Sequence, residues 1–345
     1  MSQKPNCIET EAQLEDIMST PTPEVVKAIA ELEGDLLILG VGGKMGPTLA
    51  KLAKRAIEVS GVDRTVIGVS RFSAAGLEGP LNEAGIETIP CDLLDEAELQ
   101  KLPDIPNVVF MAGRKFGASE NEELTWAMNT YMPGRVAEKY RDSRLVVFST
   151  GNVYPLTPVG DGGAPESHPV NPIGEYAQSC LGRERMFEFF SDRYGTPVAI
   201  IRLNYAIDLR YGILLDIAEK VWAEEPVNLT MGTVNVIWQG DANAIVLRAF
   251  ASCQSPPMIL NLTGPETVSV RGLAVRFGEL FEKTPIFEGV SAETALLSNA
   301  ARCHQCFGYP QIPLEQMIQW VAHWVRIGGQ TLDKPTKFEV RDGRF

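Results

Sequence analysis

The chain has 345 residues, 45 % of them hydrophobic and 22 % charged, the make-up of a globular protein able to bury a sizeable core. Its net charge of -13 argues against nucleic acid or an anionic membrane surface as the main partner. No segment approaches the ~18 uninterrupted apolar residues of a membrane helix. The first residues lack the basic region and apolar core of an export signal, and six cysteines (Cys7, Cys91, Cys180, Cys253, Cys303, Cys306) are too sparse for a disulfide framework. The expected setting is the cytoplasm.

Residues 1–23, polar and punctuated by proline, read as a loose arm, followed by a helix from Pro23 to Glu33 that stops at Gly34. Apolar runs then recur at Asp35–Leu39, Thr65–Val69, Ile86–Pro90, Asn107–Met111, Leu145–Ser149 and Val198–Arg202. Helical spacing fills the gaps at about 44–59, 74–84, 95–101, 120–141 and 174–193. This alternation predicts an α/β protein, a parallel sheet covered by helices on both faces. Pro155 to Pro172 is irregular, rich in Pro and Gly, and reads as either a pocket wall or lid or a passive surface loop. Beyond Leu203 the spacing predicts helices near 211–223, 241–252, 270–283, 291–304 and 313–327, with short strands near 227–229, 234–238 and 258–262. The expected division is an N-terminal arm and helix (1–33), a first domain over 34–203 completed by about 238–262, and a smaller, mostly helical lobe over 204–237 and 263–330. A polar tail (331–345) would be ordered only by docking.

The first strand runs into Gly40-Val41-Gly42-Gly43-Lys44-Met45-Gly46, a G-x-x-G-x-x-G turn at the head of a helix. Glycines there allow a tight turn, a close backbone approach and close helix–strand packing, with phosphates held at the positive helix end. Placed between a buried strand and a helix, the turn points to a dinucleotide.

Further landmarks follow in order: Cys91-Asp92-Leu93, Phe110-Met111-Ala112-Gly113, Asn129, Phe148-Ser149-Thr150-Gly151-Asn152-Val153-Tyr154, Tyr176, Arg202-Leu203-Asn204 and Gln239-Gly240-Asp241. Over residues 35–325 the chain resembles the extended short-chain dehydrogenases/reductases, the group of nucleotide-sugar epimerases, dehydratases and reductases. The resemblance implies a Rossmann-type doubly wound parallel sheet with a smaller, mostly helical C-terminal substrate lobe. It implies that Tyr176 is the proton donor or acceptor and that Thr150, helped by Ser149, holds the reacting oxygen. The glycine-loop residues Gly40, Gly43, Lys44, Met45 and Gly46 would then line the cofactor. Asp92 and Leu93 would sit at adenine, Met111, Ala112 and Gly113 under the cofactor, and Asn129 in the following helix.

The family's Tyr-x-x-x-Lys reads here Tyr176-Ala177-Gln178-Ser179-Cys180. The resemblance assigns the missing lysine to the nicotinamide ribose and to lowering the tyrosine pKa, so Cys180 stands at a cofactor position without the charge. A tyrosine near pKa ~10 is only ~0.1 % ionised at pH 7. In the reductive direction the neutral phenol is the competent form. Arg183, about 10 Å further along the helix axis, and Lys115, after the fourth strand, are candidate substitutes, but the ordinary roles are expected first: Arg183 as a surface or ion-pair residue and Lys115 as a loop charge.

The family's 4,6-dehydratases carry Asp-Glu after the catalytic threonine; Gly151-Asn152 stands here, which argues against that dehydration. The stretch Met231–Trp238 has no basic residue for a nucleotide diphosphate, so a small sugar, sugar acid or polyol is the expected substrate. Ser70 and Arg71 end the second strand where NAD enzymes place an acid; with Lys44 as a second charge they suit a 2′-phosphate. NADP is the expected cofactor and NAD the alternative. No metal is expected: Cys303-His304-Gln305-Cys306 lacks a second Cys/His pair at zinc spacing. His168 reads as a solvated loop residue or a pocket group, and Trp222, Trp238, Trp320 and Trp324 as core or interface. Family helices after strands four and five often form a dimer seam, and Met186, Phe187, Phe189 and Phe190 fit either such a homodimer or burial within one chain. The leading expectation is an NAD(P)-dependent oxidoreductase or epimerase acting by hydride transfer on a small carbohydrate-like molecule. The alternative is a dinucleotide-binding sensor or partner-binding protein that has lost turnover.

Overall fold

In a computed structural model, which describes residues 5–73 and 76–344, seven parallel strands form one sheet: β1 (Leu36–Leu39), β2 (Val66–Ser70), β3 (Glu87–Pro90), β4 (Asn107–Phe110), β5 (Arg144–Thr150), β6 (Val198–Leu203) and β7 (Met258–Leu262). Their spatial order is β7-β6-β5-β4-β1-β2-β3. The six apolar runs expected as strands fall on β1 to β6, and 258–262 adds the seventh. Val, Ile and Leu dominate because both faces are covered. On one face Val25, Ile29, Leu49 and Ala53 pack with Ile38, Val109 and Val146; on the other Met132, Val136 and Phe187 pack with Leu37, Val108 and Val147. The order reverses between β4 and β2, on either side of β1, which opens a crevice at the carboxyl ends of β1 and β4.

A third core gathers around the helices Ile213–Trp222, Val270–Phe281 and Leu314–Arg326. It also takes in Ile8, Leu14 and Met18, which corrects the expectation of a loose arm. Residues Glu11–Ser19 form a helix capped by Thr10, whose hydroxyl accepts from the Gln13 N–H, and Glu15 pairs with Lys51 and Arg210. The polar surface of this helix concealed two large apolar side chains four residues apart, the spacing of one helical face. Trp238, Trp320 and Trp324 are buried, whereas Trp222 is 39 % exposed and lies edge-on to Phe281.

Two further differences have local causes. The helix expected over 120–141 is interrupted: Glu122–Trp126 and Met132–Lys139 flank a π turn, Ala127–Tyr131. Pro133 has no N–H for the carbonyl of residue 129, so the helix widens there. The helix expected over 291–304 begins only at Ala301 and ends at Phe307; Thr294–Ala295 instead pairs antiparallel with Thr157–Pro158. Ala295, Leu296 and Leu297 are all buried, and tertiary packing overrides their helical propensity. The helix expected over 74–84 is Glu78–Glu83; residues 74 and 75 lie outside the described residues.

Candidate functional site

The glycine turn is shaped by close approaches. Gly40 sits at φ +96, and a Cβ there would stand 2.6 Å from the Ala112 nitrogen, so the ends of β1 and β4 touch through a backbone that only glycine allows. A Cβ on Gly46 would overlap the Val41 carbonyl, which fixes the helix Gly46–Ser60 against the turn. That helix has no side-chain cap at its N-terminus, and Gly43 is exposed, leaving an open backbone cradle of the kind that holds a pyrophosphate. Ser70 Oγ lies against Gly42, whose Cβ would be 2.5 Å away, and the exposed Arg71 follows it. Met45 is 7 % exposed and packs under the turn.

Lys44 is placed differently from expectation. Its Nζ donates to the Ala206 carbonyl at 2.9 Å and stands 3.9 Å from the centre of the Tyr211 ring. These groups follow β6, on the opposite half of the sheet from Ser70 and Arg71, so Lys44 gives no second charge at the end of β2. Burial lowers its pKa to about 8, opposed by Asp208. Asp92 shapes its own turn, Oδ1 accepting from the Leu94 N–H, while Leu93 packs into the core beside Cys91 and Val69 rather than lining the crevice.

At the end of β5 the pleat separates Ser149 from Thr150. The Ser149 hydroxyl donates to Glu184 Oε1 at 2.5 Å, which removes it from the reacting side and corrects its expected role. Glu184 is fully buried and paired with Arg202, Nη2 to Oε2 at 2.6 Å and Nε to Oε1 at 3.0 Å. Arg202 Nη1 also donates to the Tyr154 hydroxyl, which donates to Asn261 Oδ1. Asn261 Nδ2 donates to the carbonyls of Ala164 and Asn299. This buried chain ties β5, β6, β7 and the helix Gly174–Tyr194 to the Pro-rich loop, which is pinned rather than free. His168 of that loop lies edge-on to the Tyr154 ring, its Nδ1 at 2.9 Å from the Pro169 carbonyl oxygen.

Thr150 faces the helix Gly174–Tyr194. Its hydroxyl and the Cys180 thiol both lie within side-chain hydrogen-bonding reach of the Tyr176 hydroxyl. Burial raises the Tyr176 pKa well above the ordinary phenol value; Arg183 and the Thr150 bond act in the opposite direction. Cys180 is 1 % exposed among Val153, Tyr154 and Ala164, and burial raises its thiol pKa, so it is a neutral packing group and not a hand on the cofactor.

Arg183 is 6 % exposed, not at the surface. Its Nη1 donates to the Phe148 carbonyl at 2.8 Å and Nη2 to Asn129 Oδ1 at 3.0 Å, while Nε has no partner. Asn129 is fully buried in the π turn, accepts the Arg114 N–H, and donates to the Arg114 carbonyl and Ser179 Oγ. It braces the loop after β4 and holds Arg183, so its part is positioning rather than cofactor contact. Met111 and Ala112 are half-buried at the crevice, and Gly113 is exposed, its missing Cβ leaving room for the Arg183 guanidinium. Lys115 comes from the same loop; its Nζ donates to the Thr336 carbonyl, burial lowers its pKa to about 8, and its charge reaches Cys180. Two cations therefore flank the place of the absent lysine. Sequence spacing named both but could not show that the protein buries Arg183.

Residues 36–206 match the model of the NAD dependent epimerase/dehydratase family. Over that span the chain carries a domain that resembles this family's. No curated protein matches it. Similar solved structures include the Thermus thermophilus UDP-glucose 4-epimerase in complex with NAD, at 18 % identity and TM-score 0.68, covering 85 % of this chain and 99 % of that one. The Bacillus cereus UDP-glucuronic acid 4-epimerase, in complex with UDP-glucuronic acid and NAD, has 15 % identity and TM-score 0.70, with 85 % and 99 % covered. The Thermotoga maritima UDP-glucose 4-epimerase with UDP-glucose has 18 % identity and TM-score 0.68, with 85 % and 98 % covered. These likenesses establish a shared fold, and no described helix is long and apolar enough to cross a membrane.

Proposed function

We propose that this protein is a nicotinamide-dinucleotide-dependent oxidoreductase or epimerase acting on a small carbohydrate-like substrate. The observation that carries the reading is the placement of Thr150, at the end of β5, within hydrogen-bonding reach of Tyr176, on the same carboxyl edge of the parallel sheet as the open glycine turn. The cradle fits a dinucleotide: Gly40 admits the close approach of β4, and the helix Gly46–Ser60 has no side-chain cap at its N-terminus. When bound, such a cofactor gives or takes the hydride.

The chain's own residues handle the proton. Its raised pKa keeps Tyr176 a neutral phenol, fit to donate to the oxygen of a carbonyl undergoing reduction. Thr150 donates to the phenolic oxygen, a bond that strengthens as that oxygen gains charge. Arg183 favours the same charged form from below, as the family's lysine would. For transfer the Tyr176 hydroxyl must face the substrate rather than Cys180. Ser70 and Arg71 support NADP over NAD, without the help of Lys44.

Tyr176→Phe tests the reading. It keeps the ring and should leave NADPH and NADH binding within twofold, while reducing turnover of free sugars, aldonic acids and ketosugars by roughly 10²–10⁴-fold. Full turnover in that variant would remove the proton path. Tight cofactor binding with no turnover of any such substrate by the native chain would favour the sensor.

A further inference from the structure

By composition the segment Asp333–Arg344 should be a solvated tail, yet Thr336 is 2 % and Phe338 3 % exposed, and Gly343 is buried. It enters beside the helix Ile213–Trp222, where the Leu332 N–H pairs with the Arg210 carbonyl. Thr336 then places its N–H and hydroxyl on Asp216 Oδ2, and its carbonyl takes Lys115 Nζ. Phe338 inserts into the third core. Arg341 donates to the carbonyls of Thr230 and Thr294 and to Thr294 Oγ1, at 3.2, 2.8 and 2.6 Å.

The segment then reaches the candidate catalytic helix. Gly343 (φ +76) and Gly174 (φ +80) lie back to back. A Cβ on Gly343 would stand 2.2 Å from the Ile173 oxygen, and one on Gly174 would stand 2.6 Å from the Gly343 oxygen. Main chain therefore lies on main chain two residues before Tyr176, with no gap for a ligand to thread. Between these two ends, Glu339 lies within electrostatic reach of Tyr205 and Asp216. Tyr205 directly follows Asn204 and is held in the left-handed region at φ +47, a conformation that the surroundings must enforce.

We propose that Thr336–Gly343 forms a fixed outer wall of the substrate site, running from Lys115 to the head of the helix that carries Tyr176. It admits an unattached sugar or sugar acid and shuts out one that carries a nucleotide. This rests on the functional reading above and gives it a steric basis. Arg341 does not serve as the missing diphosphate receptor of Met231–Trp238, because its N–H groups are held by main-chain carbonyls and a hydroxyl; it rivets the wall in place.

The test is a calorimetric titration of the full chain and of a variant ending at Leu332, with UDP-glucose as probe, without cofactor and with saturating NADP or NAD. The shortened chain should bind UDP-glucose at least about 100-fold more tightly than the full chain, since removing a steric block restores access. Equal affinity in the two, or binding by neither, overturns the wall. If the shortened chain does not fold, Arg341→Ala in the full chain should still raise UDP-glucose affinity at least about tenfold by loosening one anchor. A full chain that binds UDP-glucose and loses it with Arg341→Ala would make the segment a ligand arm and overturn the proposal. Failure of either chain to bind both NADP and NAD counts against the functional reading, whereas the wall stands or falls on the UDP-glucose ratio.

Discussion

Restoring the family's lysine by Cys180→Lys should harm this protein, because Arg183 already supplies a cation there. Cys180 is 1 % and Arg183 6 % exposed, one helical turn apart. Residues at that spacing have Cβ atoms about 5–6 Å apart, and two unit charges ~6 Å apart at an effective dielectric of about 20 repel by about 3 kcal/mol. With an unfolding entropy of about 2.1 cal/mol/K per residue over 345 residues, 3 kcal/mol corresponds to a fall in Tm of about 4 °C. Arg183→Met alone forfeits the bonds to Phe148 and Asn129 and should cost about 2 kcal/mol. The double variant removes the repulsion, so its destabilisation should be smaller than the sum of the singles by about 3 kcal/mol. Urea unfolding of the four proteins measures this coupling. Single costs that add to within about 0.5 kcal/mol would show that Arg183 does not occupy the electrostatic place of the lysine.

Glu184→Ala should cost about 3–5 kcal/mol, because it strands the Arg202 guanidinium in the interior; denaturant unfolding reads the loss, and a cost below about 1 kcal/mol refutes the buried pair. Lys44 titrates near 8 in the folded protein and near 10.5 unfolded. Between those values the unfolded chain binds more protons, so the stability of the native protein relative to Lys44→Met should rise with pH across that window, by on the order of 3 kcal/mol in all. A difference that stays flat from pH 8 to 10 removes the burial argument for Lys44. Arg71→Ala should weaken NADPH roughly tenfold and leave NADH nearly unchanged in a fluorescence titration, the loss of one charge-assisted contact to a 2′-phosphate. Equal losses for both cofactors would defeat the NADP assignment.

Much of the sheet was legible because both of its faces are covered, so each strand announces itself as a short apolar run. The glycine turn was legible for a similar reason: close main-chain approach admits few residue types. Side-chain direction was not. Ser149 was expected to help Thr150, although adjacent residues on one strand must face opposite ways, and alternation alone could have separated them. Lys44 carried the right charge in the right turn but reaches toward β6, a choice set by Ala206 and Tyr211 over 160 positions away. Arg183 was judged by its axial distance from Tyr176, whereas its setting is made by Asn129 in a helix deformed by Pro133. The segment 333–344 looked polar throughout, and nothing local reveals that Phe338 has a vacancy to fill in a distant core.

The hydrogen-bonded chain from Ser149 through Glu184, Arg202 and Tyr154 to Asn261 spans more than a hundred residues. During synthesis the first four are available well before the fifth. A nascent polypeptide whose first 206 residues have left the ribosome already has the charged pair but no acceptor for the Tyr154 proton, and its outer sheet edge is bare. The carboxyl end of β5 can therefore set firmly only after Met258–Leu262 emerges and docks.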